Sequence, residues 1–429
     1  MTVAQSIEPL LGSLLRGTRG WRITFWDGSV AGSEDAPFGV LVRHRRALRR
    51  LLWEPSPLGL ARGYVAGEVD VDGALIDSLD AGAALAPTVQ EALRGHRRHL
   101  ARSLLGATVR TGALGLRPKP PAIEARLAGH RHTRDRDAAA ISHHYDLGND
   151  FYRLLLGESM TYSCAYWEHE SMELREAQYA KCALVADKLG LRPGMRVLDV
   201  GCGWGTFVIH AAREYGVHAV GITISDVQVA EARRRAEEAG VADRVEIRRQ
   251  DYREITDGPY DAIASIGMAE HVGARNLPEY ARRLAGLIAP AGRIVNHAIG
   301  RPRAQQQPTS AFIDRYIFPD GELVPVSQML RFFEDAGLEI RDVESLRDHY
   351  GPTLRAWIDN LTRGWERACS LIGDDRARAW LLYLSGSALA FEHARLGVNQ
   401  LIAIRPDARG CSGMPRSRAE WLAPRSMAG

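Results

Sequence analysis

The sequence predicts an α/β protein built on a doubly wound, mostly parallel sheet, with a smaller α+β module ahead of it. Three observations lead there. Apolar strand-like runs alternate with helical periodicity from residue 172 to 298, the pattern of a sheet covered by helices on both faces. The run Val-Leu-Asp-Val-Gly-Cys-Gly-Trp-Gly at 197–205 breaks a buried strand with alternating glycines where the next helix begins. At 429 residues the chain exceeds what one hydrophobic core usually organises, so two domains are expected.

In chain order, Trp21–Trp26, Phe38–Val42 and Tyr64–Val71 read as short strands between turns, followed by a helical stretch. Leu-Arg-Pro-Lys-Pro-Pro at 116–121 stops that module, and the charged run from Arg126 to Asp137 reads as an exposed linker. The expected division is therefore 1–120, a linker at 121–140, a second domain at 141–405, and a disordered tail after Pro406, rich in Gly, Pro, Ser and Arg. Within the second domain the periodicity predicts helix 172–189, strand 195–200, helix 206–215, strand 217–222, helix 226–239, strands 245–248 and 260–265, helix 276–288 and strand 292–298. Residues 301–321 read as an insertion with one element near Phe312–Phe318. Helices at about 353–371 and 375–395 precede a last strand, Val398–Ile404.

A composition of 45% hydrophobic and 25% charged residues excludes a chain that is disordered throughout. The first residues lack a basic segment followed by an apolar core, and no run of about 18 uncharged apolar residues occurs, so neither export nor membrane spanning is expected. Five cysteines without C-x-x-C spacing argue against a disulfide framework and a structural zinc site, and fit a cytoplasmic protein. Charge is uneven. Residues 1–140 carry 20 basic against 14 acidic side chains, and the remainder is net negative. The basic residues cluster as Arg43, Arg45, Arg46, Arg49, Arg50 and as Arg94, Arg97, Arg98, Arg102, each beside leucines, with Trp53 next to the first. That combination suits peripheral attachment to an anionic membrane as well as it suits two solvated helix faces. No nucleic-acid module accompanies the charge.

The glycine loop belongs to a Rossmann-like sheet, where ligands sit beyond the C-terminal strand ends. A dinucleotide fingerprint would place glycine at Thr206 and an acid near Gly221; neither is present, and an S-adenosylmethionine site is expected instead. Candidate cofactor residues are Gly201, Gly203 and Gly205 in the loop, Thr223, Ser225 and Gln228 after the next strand, and Asp251 with Tyr252 after the one following. Ile-Gly-Met-Ala-Glu-His-Val-Gly at 266–273 puts Glu270 and His271 at the same crevice.

The segments His144–Tyr152, Met160–Trp167, the glycine loop, Thr223–Ser225 with Gln228, Glu270–Gly273, Asn296–Gly300 and Arg315–Gly321 occur in this order. Together they resemble the cyclopropane-fatty-acyl-phospholipid synthase family, over about residues 140–405. Gly-Tyr-Val-Ala-Gly-Glu-Val-Asp at 63–70 is similar to the lipid-binding domain of its longer members. The resemblance implies a class I methyltransferase fold and transfer of a methyl group from S-adenosylmethionine to a cis double bond of a phospholipid acyl chain. It also implies Tyr162 and Ser163 as further cofactor residues. Bicarbonate is implied as the base that removes a proton from the resulting carbocation, held by Cys164, Glu270, His297, the backbone at Ile299, and Tyr350. Tyr162, Tyr316 and Trp167 are expected to line the acyl tunnel.

Two products stay open at this stage: a cyclopropane, or a methylene-branched chain that a partner reductase would then saturate. A soluble small-molecule methyltransferase would not need the basic module, and a non-catalytic lipid binder would not need the glycine loop with Glu270 and His297. The expected partners are an unsaturated phospholipid and an anionic membrane surface, with no nucleic acid; a homodimer is left open.

Overall fold

A computed structural model describes residues 1–15, 20–33, 35–36, 38–125, 129–133, 136–137, 140, 144–145, 147–302 and 310–421; the side chains of residues 88, 90, 92–98 and 421 are outside it. The second basic cluster, at Arg94, Arg97 and Arg98, therefore falls outside the described side chains. The chain divides into two compact units, neither of them continuous in sequence. The first comprises Met1–Arg126, Ala311–Ile317 and Trp365–Leu389; the second comprises Leu127–Ser310, Phe318–Gly364 and Ala390–Gly429. The helical residues 365–389, assigned from sequence to the second domain, thus belong to the first unit, because a local hydrophobic period does not say which core it faces.

In the first unit, strands β1 (Arg22–Phe25), β2 (Val30–Gly32), β3 (Gly39–Val42) and β4 (Val69–Asp72) form a sheet in the order β2-β1-β3-β4. Helix Val3–Leu15 lays Val3, Ile7, Leu10 and Leu11 against Phe25, Val42, Leu48 and Leu100 to make the core. The strand expected over Tyr64–Val71 is two elements. Ser56 caps a helix, its hydroxyl accepting from Gly59 N at 3.1 Å, and Pro57 opens the first turn with its φ already helical. That helix runs to Val65, and β4 starts only at Val69.

The motif at 63–70 is held by buried charges. Glu68 takes both arms of the Arg50 guanidinium at 2.8 and 2.9 Å, with the two side chains 3% and 5% exposed. Arg378 donates to Tyr64 O at 2.6 Å and Val69 O at 2.8 Å, and lies 4.1 Å over the Tyr64 ring. Arg62 grips Glu124 with two bonds, and Tyr316 adds its hydroxyl to the same carboxylate at 2.8 Å. Arg50 is thus not part of a solvated face, whereas Arg43, Arg45 and Arg46 are exposed.

The second unit carries seven strands in the order β10-β11-β9-β8-β5-β6-β7. β5 (Arg196–Val200), β6 (His218–Thr223), β7 (Val245–Arg249), β8 (Tyr260–Ile266) and β9 (Ile288–Gly300) run parallel; β11 (Gly397–Ile404) adds antiparallel to β9, and β10 (Glu339–Ser345) antiparallel to β11. Helices Leu174–Leu189, Thr206–Tyr215 and Asp226–Glu238 cover one face; Leu277–Leu287 and Val326–Asp335 cover the other. This is the mostly parallel, doubly wound α/β fold expected. Strand β10 and helix Val326–Asp335 were not expected, and the helix expected from about 353 begins at Arg347, so that Tyr350 lies inside it. The supposed linker contributes to this unit, with Arg136 clasping Asp320. The supposed tail also contributes: Asp407 accepts from Arg409 N and Cys411 N, and Met414 packs on the core. Among the described residues, no helix is long and apolar enough to cross a membrane.

Removing one member of a buried ion pair strands the other, so Arg50→Ala should lower unfolding stability by about 3–5 kcal/mol. Arg45→Ala, on the exposed side of the same helix start, should stay within about 0.5 kcal/mol. Chemical denaturation of the two variants checks the contrast.

Candidate active site

The glycine loop leaves β5 and is fastened to β6, with Gly201 N and Cys202 N both donating to Ile222 O at 3.0 and 2.9 Å. Its three glycines do different work. A Cβ on Gly203 (φ +54) would stand in open space facing a cavity, whereas one on Gly205 would press on Ala232 Cβ at 3.0 Å. Gly203 therefore leaves room for a ligand, and Gly205 lets helix Thr206–Tyr215 pack closely on helix Asp226–Glu238. Arg235 reaches from the second helix to Trp204 O (2.7 Å) and Ser159 O (2.8 Å), tying the loop to the segment that carries Tyr162 and Ser163.

Of the candidate cofactor residues, Tyr162, Ser163, Gly201, Gly203, Thr223, Gln228, Asp251 and Tyr252 line this cavity. Ser225 caps helix Asp226–Glu238 through Gln228 N and is not among the lining residues. Thr223 donates its hydroxyl to Gln228 Oε1 at 2.7 Å, which turns the amide NH₂ away from Thr223. Asp251 is gripped by Arg253 through both carboxylate oxygens. Tyr252 is buried with its ring edge-on to Tyr280.

Asp199 and Lys181 are among the lining residues missed in the sequence. Asp199, two residues before Gly201, is 2% exposed with Oδ1 unpartnered; burial pushes its carboxyl up to about 7 against the pull of Lys181. Lys181, on helix Leu174–Leu189, is buried and lines the same cavity. An acid two residues before the first glycine, at the end of a buried strand, was a usable signal for Asp199. Lys181 had none, since a lysine at helical spacing reads as solvated. The Gly203 cradle and the unpartnered Asp199 oxygen fit an adenosyl cofactor that carries an ammonium group.

The other five candidates gather near the far end of β9. Ile299 donates its N–H to Glu270 Oε1 at 2.7 Å, while Oε2 is buried and unpartnered, and burial pushes this carboxyl up to about 7 as well. The Ile299 backbone N–H is thus engaged by a carboxylate. Val398 pairs with Ile299, and Val398 O accepts from Leu346 N at 2.8 Å. Leu346 O in turn lies 3.7 Å from Cys164 Sγ. The Cys164 thiol is fully buried and held well above its ordinary pKa by desolvation, so it stays neutral. Tyr350 sits one turn further along, buried, with its ring 4.4 Å from Phe391. His297, two residues before Ile299, is 2% exposed and held well below its usual pKa by desolvation.

The aromatic residues redistribute the expected tunnel. Tyr162 stacks on His144 (5.5 Å) and Phe318 (6.4 Å) and touches Trp357 (5.4 Å). Trp167 is anchored by its indole N–H on Thr353 Oγ1 at 3.0 Å. Tyr316 is committed to Glu124 in the first unit; it is Phe318 of the same motif that reaches His144, Tyr162 and His271.

A buried carboxyl raised to about 7 must lose its proton to receive an ammonium. The proton-loaded form dominates below that pH, so S-adenosylmethionine should bind more tightly as pH rises from about 5 to about 7, by up to about tenfold per unit. Asp199→Asn should flatten that slope and weaken binding, and Glu270→Gln should leave the slope in place, as calorimetry across pH will read.

Comparison with known proteins agrees with this geometry. Residues 132–401 match the family profile of mycolic acid cyclopropane synthetase. The chain is 38% identical over 405 residues to a Mycobacterium tuberculosis protein named "probable fatty acid methyltransferase", covering 92% of this chain and 93% of that one. It is 35% identical over 380 residues to the cyclopropane-fatty-acyl-phospholipid synthase of Escherichia coli K12, covering 88% and 90%. A crystal structure of a mycolic acid cyclopropane synthase complexed with SAH and CTAB superposes with a TM-score of 0.59 at 33% identity, over 62% of this chain and 97% of that one. The chain belongs to the mycolic acid cyclopropane synthetase family, alongside the cyclopropane-fatty-acyl-phospholipid synthases, and is an S-adenosylmethionine-dependent methyltransferase.

Proposed function

We propose that this enzyme methylates the cis double bond of an unsaturated acyl chain within a phospholipid and closes it to a cyclopropane. The observation that carries the reading is Glu270: a desolvated carboxyl with one oxygen unpartnered, bonded to the strand that carries the neutral His297. It is followed by His271, which meets Phe318 of an aromatic cluster that shares Tyr162 with the cofactor cavity. S-adenosylmethionine, when bound, supplies an electrophilic methyl group. An alkene attacks it without prior deprotonation, so the chain's first task is to position the acyl chain. Ring faces of Tyr162, Phe318 and Trp357 suit an apolar substrate and stabilise positive charge as it develops.

The second task is to take one proton. Cys164 is held as a neutral thiol, and desolvation leaves His297 a neutral imidazole of weakened basicity, so a stronger base is needed. Bicarbonate, when bound among Glu270, His297, Tyr350 and Cys164, would supply that base, the Ile299 N–H being already taken by Glu270. Glu270, poised near neutrality, accepts a proton from a bound partner more readily than a carboxyl of ordinary pKa. A second reading keeps the same residues and yields a methylene-branched chain, which a reductase would saturate; similarity to a named fatty acid methyltransferase favours keeping it.

The first unit offers a surface for peripheral attachment to the cytoplasmic face of a membrane. Trp53, Leu114 and Leu116 are 52%, 54% and 87% exposed, and Trp53 Nε1 donates to Gly115 O at 3.0 Å, so the three belong to one patch. Exposed Arg45 and Arg46 lie at the start of the same short helix. Apolar side chains with a tryptophan beside arginines match an anionic lipid interface.

The test is to incubate the full chain with S-adenosylmethionine and anionic vesicles of unsaturated phospholipid, and to weigh the acyl chains. Chains heavier by one CH₂ are expected, unreactive toward a double-bond reagent if cyclopropane and reactive if methylene. Combined Trp53→Ser, Leu116→Ser, Arg45→Ser and Arg46→Ser should cut co-sedimentation and turnover while cofactor binding persists. Turnover of a water-soluble acceptor with none on vesicles would overturn the phospholipid reading.

A further inference from the structure

His297 has one described side-chain partner. The antiparallel register of β9 and β11 sets Gln400 directly opposite it, and Gln400 Nε2 lies 3.2 Å from His297 Nδ1. The other end of that amide, Oε1, lies 2.6 Å from Lys188 Nζ. Lys188 comes from the last turn of helix Leu174–Leu189, is 1% exposed, and also pairs with Glu344 on β10, which is 35% exposed. A polar chain thus runs from the half-exposed Glu344 through Lys188 and Gln400 to the imidazole.

Donor and acceptor rules give this chain one direction. An ammonium has three N–H donors and no acceptor, so the amide atom facing Lys188 is the carbonyl oxygen. The NH₂ then faces His297, and an NH₂ only donates. Nδ1 must therefore offer its lone pair, and the proton of a neutral imidazole is left on Nε2. We propose that Lys188 and Gln400 are positioning residues that lock His297 as the Nε2–H tautomer, so that the ring offers a hydrogen-bond donor on the side away from β11.

Charges around the ring favour the neutral form that the lock requires. Lys181 and Lys188, both on the helix packed over β9, oppose an imidazolium, and Glu344 is the counter-charge of Lys188. Without the amide, a neutral imidazole would divide between two tautomers, and one of them would turn a lone pair toward whatever Nε2 faces. An anion on that side needs the donor. The lock itself does not depend on the bicarbonate reading above, but its catalytic consequence rests on it.

The experiment is nitrogen NMR of the full-length protein carrying ¹⁵N-histidine, with His297 assigned by its loss in His297→Asn. In wild type a protonated Nε2 and a bare Nδ1 are expected, persisting into acid. In Gln400→Glu the facing group is an acceptor, so the proton should appear on Nδ1. In Gln400→Leu the two tautomers should mix. Cofactor affinity, measured by calorimetry, should stay within a few fold in both variants, and kcat should fall about 10²-fold, the usual effect of losing one preorganised donor. A wild-type spectrum with the proton on Nδ1 overturns the lock without any variant having to fold. So does a Gln400→Glu spectrum identical to wild type. Unchanged kcat with the proton moved leaves the lock standing and overturns the role of His297 as an anion donor.

Discussion

The pairing of β11 with β9 is the constraint on which the arrangement of Glu270, His297, Ile299 and Cys164 depends. A parallel sheet that ended at β9 would leave that strand with an open edge. Two antiparallel strands close it instead, and β9 continues for 13 residues to Gly300. Its last residues then have fixed neighbours: Gln400 opposite His297, and Val398 opposite Ile299. From that pairing follow the Ile299 N–H on Glu270 and the Val398 carbonyl that caps Leu346, beside which Cys164 is placed. A one-residue slip in the register would send these side chains to the opposite face and scatter the group.

Desolvation sets the electrostatic character of the whole site. It raises the carboxyls of Asp199 and Glu270 to about 7 and lowers both His271 and His297, so that acids and imidazoles alike lean toward their neutral forms. Such an interior tolerates an apolar chain. It also makes each carboxyl responsive, since ionisation is favoured once a cation or donor arrives beside it. The two carboxyls differ in their neighbours: Asp199 faces the cofactor cavity with Lys181, while Glu270 faces the β9 backbone. The thiol of Cys164, driven upward by the same burial, contributes shape and a weak donor.

Legibility from sequence followed how local each signal was. Helix Thr206–Tyr215 was readable to the residue because glycines at 205 and 216 end it on both sides in left-handed conformations. The glycine loop and Glu270 were readable because strand ends are where such folds bind ligands. Tyr64 and Val65, the end of helix Pro57–Val65, read as the start of a strand because they lead into the run toward Val71, although Ser56 and Pro57 are a helix start. Lys188 and Gln400 looked like a helix-end lysine and a strand amide; only the fold puts residues 212 apart in sequence within 2.6 Å. Residues 365–389 carry a helical period that suits either unit, and their membership of the first is settled by Arg378 reaching Tyr64, Val69 and Asp70.

The cofactor cavity and the end of β9 are expected to do separate jobs. The most direct measurement pairs turnover with cofactor affinity in Glu270→Gln and His297→Ala. Both variants should lose at least about 10²-fold in kcat while S-adenosylmethionine binds within a few fold of wild type, because neither side chain lines the cavity. A parallel collapse of cofactor binding in variants that remain folded would contradict the division and place these residues on the cofactor.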